Sequence, residues 1–481
     1  MQTLRKAFEE FLKIEDEFHL FERKIDGVYF WELVRSNIFL ALLKRSLSER
    51  KETQSRMEPI RKLLFYLKSL LDFKHNPYFC GEKDILFSGG QRRVLNDIDG
   101  LWWDMHVDPL LDNLNYSYVS LEYAVGINHR NPAKTPKLRY YDFIEALGFI
   151  RRVLGVAGIN LTSDDESLIS DLRKRIQIAF QVEIDVKRMI VSRLQERKET
   201  LSLCIKLLKQ VKPKLVVIVT SYAREILVEA CKLLGIPIIE LQHGVITRYH
   251  PGYSYPSPNS KKLRFPDYLL VFGQWWKEHT VFPIPLERVI VTGFPYLEAM
   301  VNIRSSKTRK KQIIIISQNR LGELISKFAL ELSKVSSFDY EIVYKLHPLE
   351  CDQWKEMYPW LVNANLTILD DPKTNLYNLF SESEVQVGVA STAVYEGVAF
   401  GLKTYILDMP GSEYSQPLID SGQAYKVSSV EAFINHLSSP AESNPPDVEY
   451  LFASHGVNLT HEFITSVMDS LNSKPKIGEQ P

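Results

Sequence analysis

Leu215-Val216-Val217-Ile218-Val219-Thr220 is a run without a charge, and one helix-length later comes a second run, Ile236-Pro237-Ile238-Ile239-Glu240-Leu241. Strands this apolar suit burial on both faces, and strands separated by helices are joined by crossovers, so the pair predicts parallel strands packed between helices. Similar runs lie on either side, at residues 85–88, 118–121, 268–272 and 289–292. The pattern restarts after Arg304-Ser305-Ser306-Lys307-Thr308-Arg309-Lys310-Lys311, a basic and polar stretch that reads as an interdomain linker. Its second set of runs falls at 313–316, 341–344, 366–369, 385–389 and 404–407. Two Rossmann-like domains in tandem, with a cleft between them, are predicted, and the fold class is α/β.

The composition agrees. Of 481 residues, 45% are hydrophobic and 11% aromatic, which suits a large buried core and excludes a disordered or collagen-like chain. Lys plus Arg and Asp plus Glu number 59 each, so no net field gathers nucleic acid, and none is expected as a partner. Cys80, Cys204, Cys231 and Cys351 lie far apart, with no Cys-x-x-Cys pair and no His at metal spacing. Neither a zinc site nor a disulfide framework is expected. No segment approaches the ~18 consecutive apolar residues of a membrane span, and the first residues lack the apolar core of a signal peptide. A soluble, cytoplasmic chain is the expectation. The sequons at Asn115, Asn160, Asn365 and Asn458 read as chance matches.

Four regions follow: a helical N-terminal region at 1–79, the first Rossmann-like domain at 80–303, the second at 312–436, and a C-terminal helix and tail at 446–481. In the first, Lys24-Ile25-Asp26-Gly27 marks a turn before the aromatic run Val28-Tyr29-Phe30-Trp31. Farther on, Met57, Ile60, Leu64, Leu67 and Leu71 recur at steps of three and four among Arg56, Arg61, Lys62, Lys68 and Lys74. This is an amphipathic basic helix. Packing against the next domain is expected of it, with peripheral contact to the inner face of a membrane as the alternative. The closing helix is expected to pack back on the first domain.

Neither G-x-G-x-x-G nor G-x-x-x-x-G-K-[ST] occurs, which removes the main support for dinucleotide redox chemistry and P-loop ATP hydrolysis. In open α/β sheets ligands bind at the carboxyl ends of strands, and several of those ends are polar here. The run at 236–241 ends in Gln242-His243-Gly244; a neutral imidazole there can take a proton from an acceptor hydroxyl, and a protonated one could hold an anion. The loop Tyr249-His250-Pro251-Gly252-Tyr253-Ser254-Tyr255-Pro256 suits a shaped binding loop or a surface turn. In the second domain Lys345 and His347 alternate with Leu346, which predicts both on one strand face, ready to bond a phosphate. Ser391 and Thr392 open a helix after an apolar strand, where hydroxyls and N–H groups favour an anion or serve as plain caps. Arg320 closes the first strand of that domain and could reach a phosphate or sugar carboxylate. In the first domain, Gly89 and Gly90 permit close approach of a ligand, with Arg92 beside them on the acceptor side. Asp97, Asp99 and Asp104 follow, any of which could be a base or nucleophile.

Gln-His-Gly in the first domain, with Lys-Leu-His-Pro and Ala390-Ser391-Thr392-Ala393-x-x-Glu396-Gly397 in the second, together resemble GT-B-fold transferases of bacterial surface polysaccharides. The nearest groups are the capsule-type Kdo transferases, the polysialyltransferases and the teichoic-acid glycerophosphotransferases. The likeness covers roughly residues 80 to 435. It implies a GT-B-like fold with a helical N-terminal extension, and a glycosyltransferase of capsule or O-antigen biosynthesis using a nucleotide-activated, CMP-linked sugar and a glycan or lipid-linked glycan acceptor. It assigns His347, Ser391 and Thr392 to the donor's phosphate and Glu396 to its ribose, although Thr404 stands where many relatives carry a second Glu. No Asp-x-Asp is present, so metal-independent chemistry without a resident cofactor is expected, with positive charge supplied by the protein. Domain closure would bring His243 opposite His347 and Ser391. The alternatives are a CDP-polyol phosphotransferase, a sugar-nucleotide 2-epimerase-like enzyme and a non-catalytic scaffold in polysaccharide assembly.

Overall fold

A computed structural model describes residues 3–47, 59–90, 93–156, 158–256, 262–304, 308–319, 321–335, 339–439 and 447–473. In chain order its strands are β1 (Lys24–Ile25), β2 (Val28–Tyr29), β3 (Ile85–Ser88), β4 (Arg93–Leu95), β5 (Trp102–Asp104), β6 (Tyr118–Glu122), β7 (Leu138–Tyr140), β8 (Leu215–Val219) and β9 (Ile238–Leu241). They continue with β10 (Tyr268–Val271), β11 (Val289–Val291), β12 (Lys310–Ile316), β13 (Glu341–Lys345), β14 (Thr367–Leu369), β15 (Ser383–Gly388), β16 (Lys403–Leu407) and β17 (Tyr425–Val427). The chain divides into a larger unit, Ala7–Phe272, Thr280–Pro295 and His455–Pro481, and a smaller one, Met1–Lys6, Gly273–His279 and Tyr296–Ser454.

The larger unit is built on a seven-stranded sheet in the order β11-β10-β9-β8-β3-β6-β7, every pairing parallel. Counted from its own first strand the order is 3-2-1-4-5-6 with a seventh strand added, the doubly wound arrangement of a Rossmann sheet. The apolar runs explain it, because β3, β6, β8 and β9 are buried at every residue. Successive side chains go to opposite faces. Leu86, Val216 and Ile218 pack with Leu207, Leu208, Leu227 and Cys231 on one side. Ile85, Phe87, Val217 and Val219 pack with Leu110, Ile464 and Met468 on the other. The last three come from the short helix Asp108–Leu111 and from the closing helix Gly456–Asn472, so the end of the described chain completes one face of this sheet.

From Ala7 onward, the described residues of the N-terminal region belong to the larger unit. The β1–β2 hairpin turns through Asp26 and Gly27, both at positive φ, as a two-residue hairpin loop requires. It leads into the helix Trp31–Leu47, whose Arg35 lies buried between Glu15 and the 251–254 backbone. The basic helix spans Pro59–Leu71; Arg56 and Met57 fall outside the described residues. It packs against the next domain, as expected, but not through the apolar stripe. Tyr66 is the buried residue, its ring 5.3 Å from Phe149 of the helix Asp142–Val153, whereas Ile60, Leu64, Leu67 and Leu71 are all exposed. Among the described residues no helix is long and apolar enough to cross a membrane.

The smaller unit repeats the plan with a six-stranded sheet, β14-β13-β12-β15-β16-β17, again all parallel and again in the 3-2-1-4-5-6 order. Ile313, Ile315, Tyr344, Val387 and Tyr405 form its core with Ile325, Phe328 and Leu332 of the helix Gly322–Ser333. In both units the strand order reverses beside the first strand, at β3/β8 and at β12/β15. The crevice outside a doubly wound sheet opens at such a point.

Candidate functional site

In the larger unit the carboxyl ends of β3, β8 and β9 carry a polar group that the topology assembles from distant sequence. Gln242 is spent on structure: its amide nitrogen donates to Gly244 O at 2.7 Å and its oxygen accepts from Phe272 N–H at 2.9 Å. That staple ties the end of β9 to the end of β10 and sets the place of His243. The imidazole is held from both sides, Nδ1 lying 3.0 Å from the Tyr253 hydroxyl and Nε2 3.1 Å from the Tyr222 hydroxyl.

Tyr253 in turn donates to Glu240 Oε1, which also accepts from Ser221 N–H at 3.0 Å. With the Tyr253 proton committed to Glu240, Nδ1 of a neutral His243 carries the ring proton and Nε2 presents the lone pair. Glu240, Tyr253 and His243 thus form a carboxylate–phenol–imidazole chain ending at the Nε2 lone pair. Burial pushes the Glu240 carboxyl up, against the bonds from Tyr253 and Ser221. Desolvation first and His106 second push His243 down to about 3, so the imidazole is neutral at neutral pH, which disfavours a protonated anchor. His250, 5.9 Å from His243 between ring centres, is also pushed down to about 3 by burial and then by His243.

The backbone supporting this chain is unusual at one place. Thr220, between β8 and Tyr222, has φ 74°, a left-handed conformation rare for a β-branched residue, and such strain clusters at functional sites. It allows Ser221 N–H to meet Glu240. Gly252 fits because a Cβ there would stand 2.3 Å from the Tyr222 ring.

At the end of β3, Gly89 passes so close to Asp104 that a Cβ would stand 2.0 Å from Oδ2, and that oxygen accepts from Gly90 N–H at 3.0 Å. Asp104 is buried and pushed up to about 7, by desolvation first and by Asp108 second. Arg224, also buried, donates to Gly89 O at 3.4 Å and lies 3.4 Å over the Tyr123 ring, placing a cation at the β3/β8 crevice. The three aspartates do not act as a group. Asp97 and Asp99 lie in the exposed turn of the β4–β5 hairpin, and Asp99 accepts from Leu101 N–H and Trp103 Nε1. Only Asp104 reaches the crevice. Arg92 falls outside the described residues.

In the smaller unit, His347 and Ser391 flank the end of β12, because β13 and β15 are its two neighbours. The His-Pro turn is fixed from below by Glu350, which is fully buried and accepts from His347 N–H and the Tyr358 hydroxyl, both at 2.8 Å. His347 Nδ1 accepts from Leu349 N–H at 3.2 Å, so Nε2 is the donor of the neutral ring. Ser391 caps the helix Thr392–Ala399, its Oγ accepting from Ala393 N–H, which leaves its own hydroxyl hydrogen to donate. Gln318 bridges β12 to this turn by accepting from Ala390 N–H at 3.3 Å. Glu396 lies half-buried one turn beyond Thr392, on the same face of the helix.

Lys345 does not stand with His347. Its ammonium is buried and donates to Leu346 O and Asp371 O, both at 3.3 Å, and burial pushes it down. The strand ends at Lys345, so alternation does not extend to position 347. Arg320 lies outside the described residues. Reading the sequence missed Tyr222, Glu240, Arg224, Gln318 and Glu350. The one visible signal was a carboxylate, Glu240, inside an otherwise apolar run.

No protein-family model matches this chain, and no curated protein does. Solved structures similar to it include UDP-GlcNAc 2-epimerase from Methanocaldococcus jannaschii (TM-score 0.48, 10% identity, covering 79% of this chain and 99% of that one). The S. aureus MnaA–UDP complex is similar at TM-score 0.49 and 14% identity, over 81% of this chain and 97% of that one. MurG of Acinetobacter baumannii is similar at 0.43 and 12%, over 79% and 99%. The fold described above rests on the two sheets themselves rather than on these likenesses.

Proposed function

We propose that this chain is a glycosyltransferase that moves a sugar from a nucleotide-activated donor to a glycan acceptor, in the manner of the surface-polysaccharide transferases its motifs resemble. The observation that carries the reading is that each Rossmann-like sheet has a polar cluster where its strand order reverses, and the two clusters differ in chemistry. In the larger unit a neutral imidazole, backed by Tyr253 and Glu240, suits removal of a proton from an acceptor hydroxyl. In the smaller unit His347 Nε2–H, the Ser391 hydroxyl and the start of the helix Thr392–Ala399 suit the donor's phosphate. Thr392 and Glu396 extend that surface toward the nucleoside, and a CMP-linked sugar is the donor class that the motifs favour.

The roles are tested by titration calorimetry with CMP-, CDP- and UDP-activated donors, followed by turnover with a glycan acceptor. One charge-assisted phosphate bond contributes about 1.5–3 kcal/mol, so His347→Ala should weaken the preferred donor roughly tenfold to more than a hundredfold. Unchanged affinity for every donor would remove the phosphate site. Conversion of a donor without any acceptor would replace transfer by epimerisation.

A further inference from the structure

We propose that the helix Pro59–Leu71 is a docking surface for an anionic lipid bilayer. The helix packs through Tyr66, with Phe65 and Leu70 half-buried, and turns five other large apolar residues outward. Ile60 is 70% exposed, Leu64 58%, Leu67 49% and Leu71 72%, with Leu63 at 44% and Phe73 just beyond the helix at 64%. At ~100° per residue the five helical positions fall in one stripe roughly 100° wide. Isolated exposed leucines are ordinary; a continuous stripe of them marks an interaction site. The neighbouring helix Asp142–Val153 adds exposed Val153 and, past its end, Leu154 and Val156.

Charge selects the occupant. The helix holds Arg61, Lys62 and Lys68 and no acidic residue; Asp72, paired with His75, and Lys74 follow it. Arg61 and Lys68 are exposed, and on the helical wheel both border the apolar stripe. Protein interfaces are depleted in lysine and favour aromatic anchors, whereas this stripe is aliphatic. A second copy of the chain meeting it antiparallel would set Arg61 and Lys68, which share one flank of the stripe, against the same cations. An aliphatic stripe edged by Lys and Arg suits a helix lying in the headgroup region of a membrane that contains anionic lipid. The inference does not depend on the reaction proposed above.

The test is flotation of the full chain with vesicles of phosphatidylcholine alone, and with about a third phosphatidylglycerol added. Binding is expected to the anionic vesicles and to weaken with salt. Leu64→Asp/Leu67→Asp should lose about tenfold per leucine, and Arg61→Gln/Lys68→Gln about fivefold per charge. All four side chains are exposed, so the thermal melt of each variant should match that of the parent. Equal recovery of parent and both variants would overturn the proposal. So would a parent that ignores anionic vesicles but sediments as a dimer that Leu64→Asp/Leu67→Asp dissociates, since the stripe would then serve a second copy.

Discussion

At the residue scale, His243 is defined by what holds it. Its Nε2 faces the Tyr222 hydroxyl, where an acceptor hydroxyl would have to enter, and its Nδ1 is tied through Tyr253 to Glu240. A positioned general base contributes about 10² to 10⁴ in rate, so His243→Asn should lower kcat by that order while leaving donor affinity nearly unchanged. The ring is pushed down to about 3, and only its neutral form accepts a proton. The rate should therefore hold as pH falls through the ordinary histidine value of about 6.5 and fail only in strong acid. An acid limb near that value that His243→Asn abolishes would show an unperturbed imidazole instead. Full activity of His243→Asn would reduce it to a packed loop residue. Gln-His-Gly was legible as a polar strand end because a buried run followed by polar residues and glycine ends at a strand's carboxyl end. Its bonds were not: Tyr222 arrives from the end of a neighbouring strand, and Tyr253 stood out only as part of a candidate binding loop, without its link to His243. Likewise Asp97, Asp99 and Asp104 look alike in sequence, and only hairpin register separates the exposed turn from the buried strand end.

At the scale of elements, the long apolar strands declared themselves, while β7 and β17 did not. Each has three residues and is only partly buried, too short for periodicity to separate from loop. The N-terminal helices were legible as helices, but their task was not. Arg35 joins Glu15 in a buried ion pair at 2.7 Å, donates to Pro251 O, and reaches Ser254 O at 3.1 Å. Its guanidinium also lies 4.4 Å from the Tyr255 ring. The helical region thereby clamps the loop that carries His250 and Tyr253. Removing one partner of a buried pair leaves the other charge unpaired, at a loss of about 3–5 kcal/mol. Arg35→Met should lower stability to urea by that order and speed hydrogen exchange at residues 250–255 more than in the smaller unit's sheet. Exchange unchanged in that loop would show that the pair stabilises the helices alone.

At the scale of the whole molecule, the larger unit is assembled from three separate stretches of chain, the last of them at its far end. The helix Gly456–Asn472 places Ile464 and Met468, both fully buried, against the face of the sheet formed by Ile85, Phe87, Val217 and Val219. His461 adds a bond to Leu110 O at 2.8 Å. The sheet ahead of it therefore has one apolar face incomplete until residues beyond 455 are in place, with Tyr296–Ser454 of the smaller unit intervening in sequence. Large-to-small substitution at a buried methionine costs about 2–5 kcal/mol, through lost burial and the cavity left behind. Met468→Ala should accordingly destabilise the larger unit, seen as faster hydrogen exchange at β3 and β8, while β12 and β15 of the smaller unit keep their protection. Removal of the chain from residue 455 onward should go further and expose the apolar face, giving aggregation or binding of a hydrophobic dye. Equal losses at β8 and β15 in Met468→Ala would mean that the two sheets unfold as one cooperative body; no loss at either would mean that the closing helix contributes little to the core it covers.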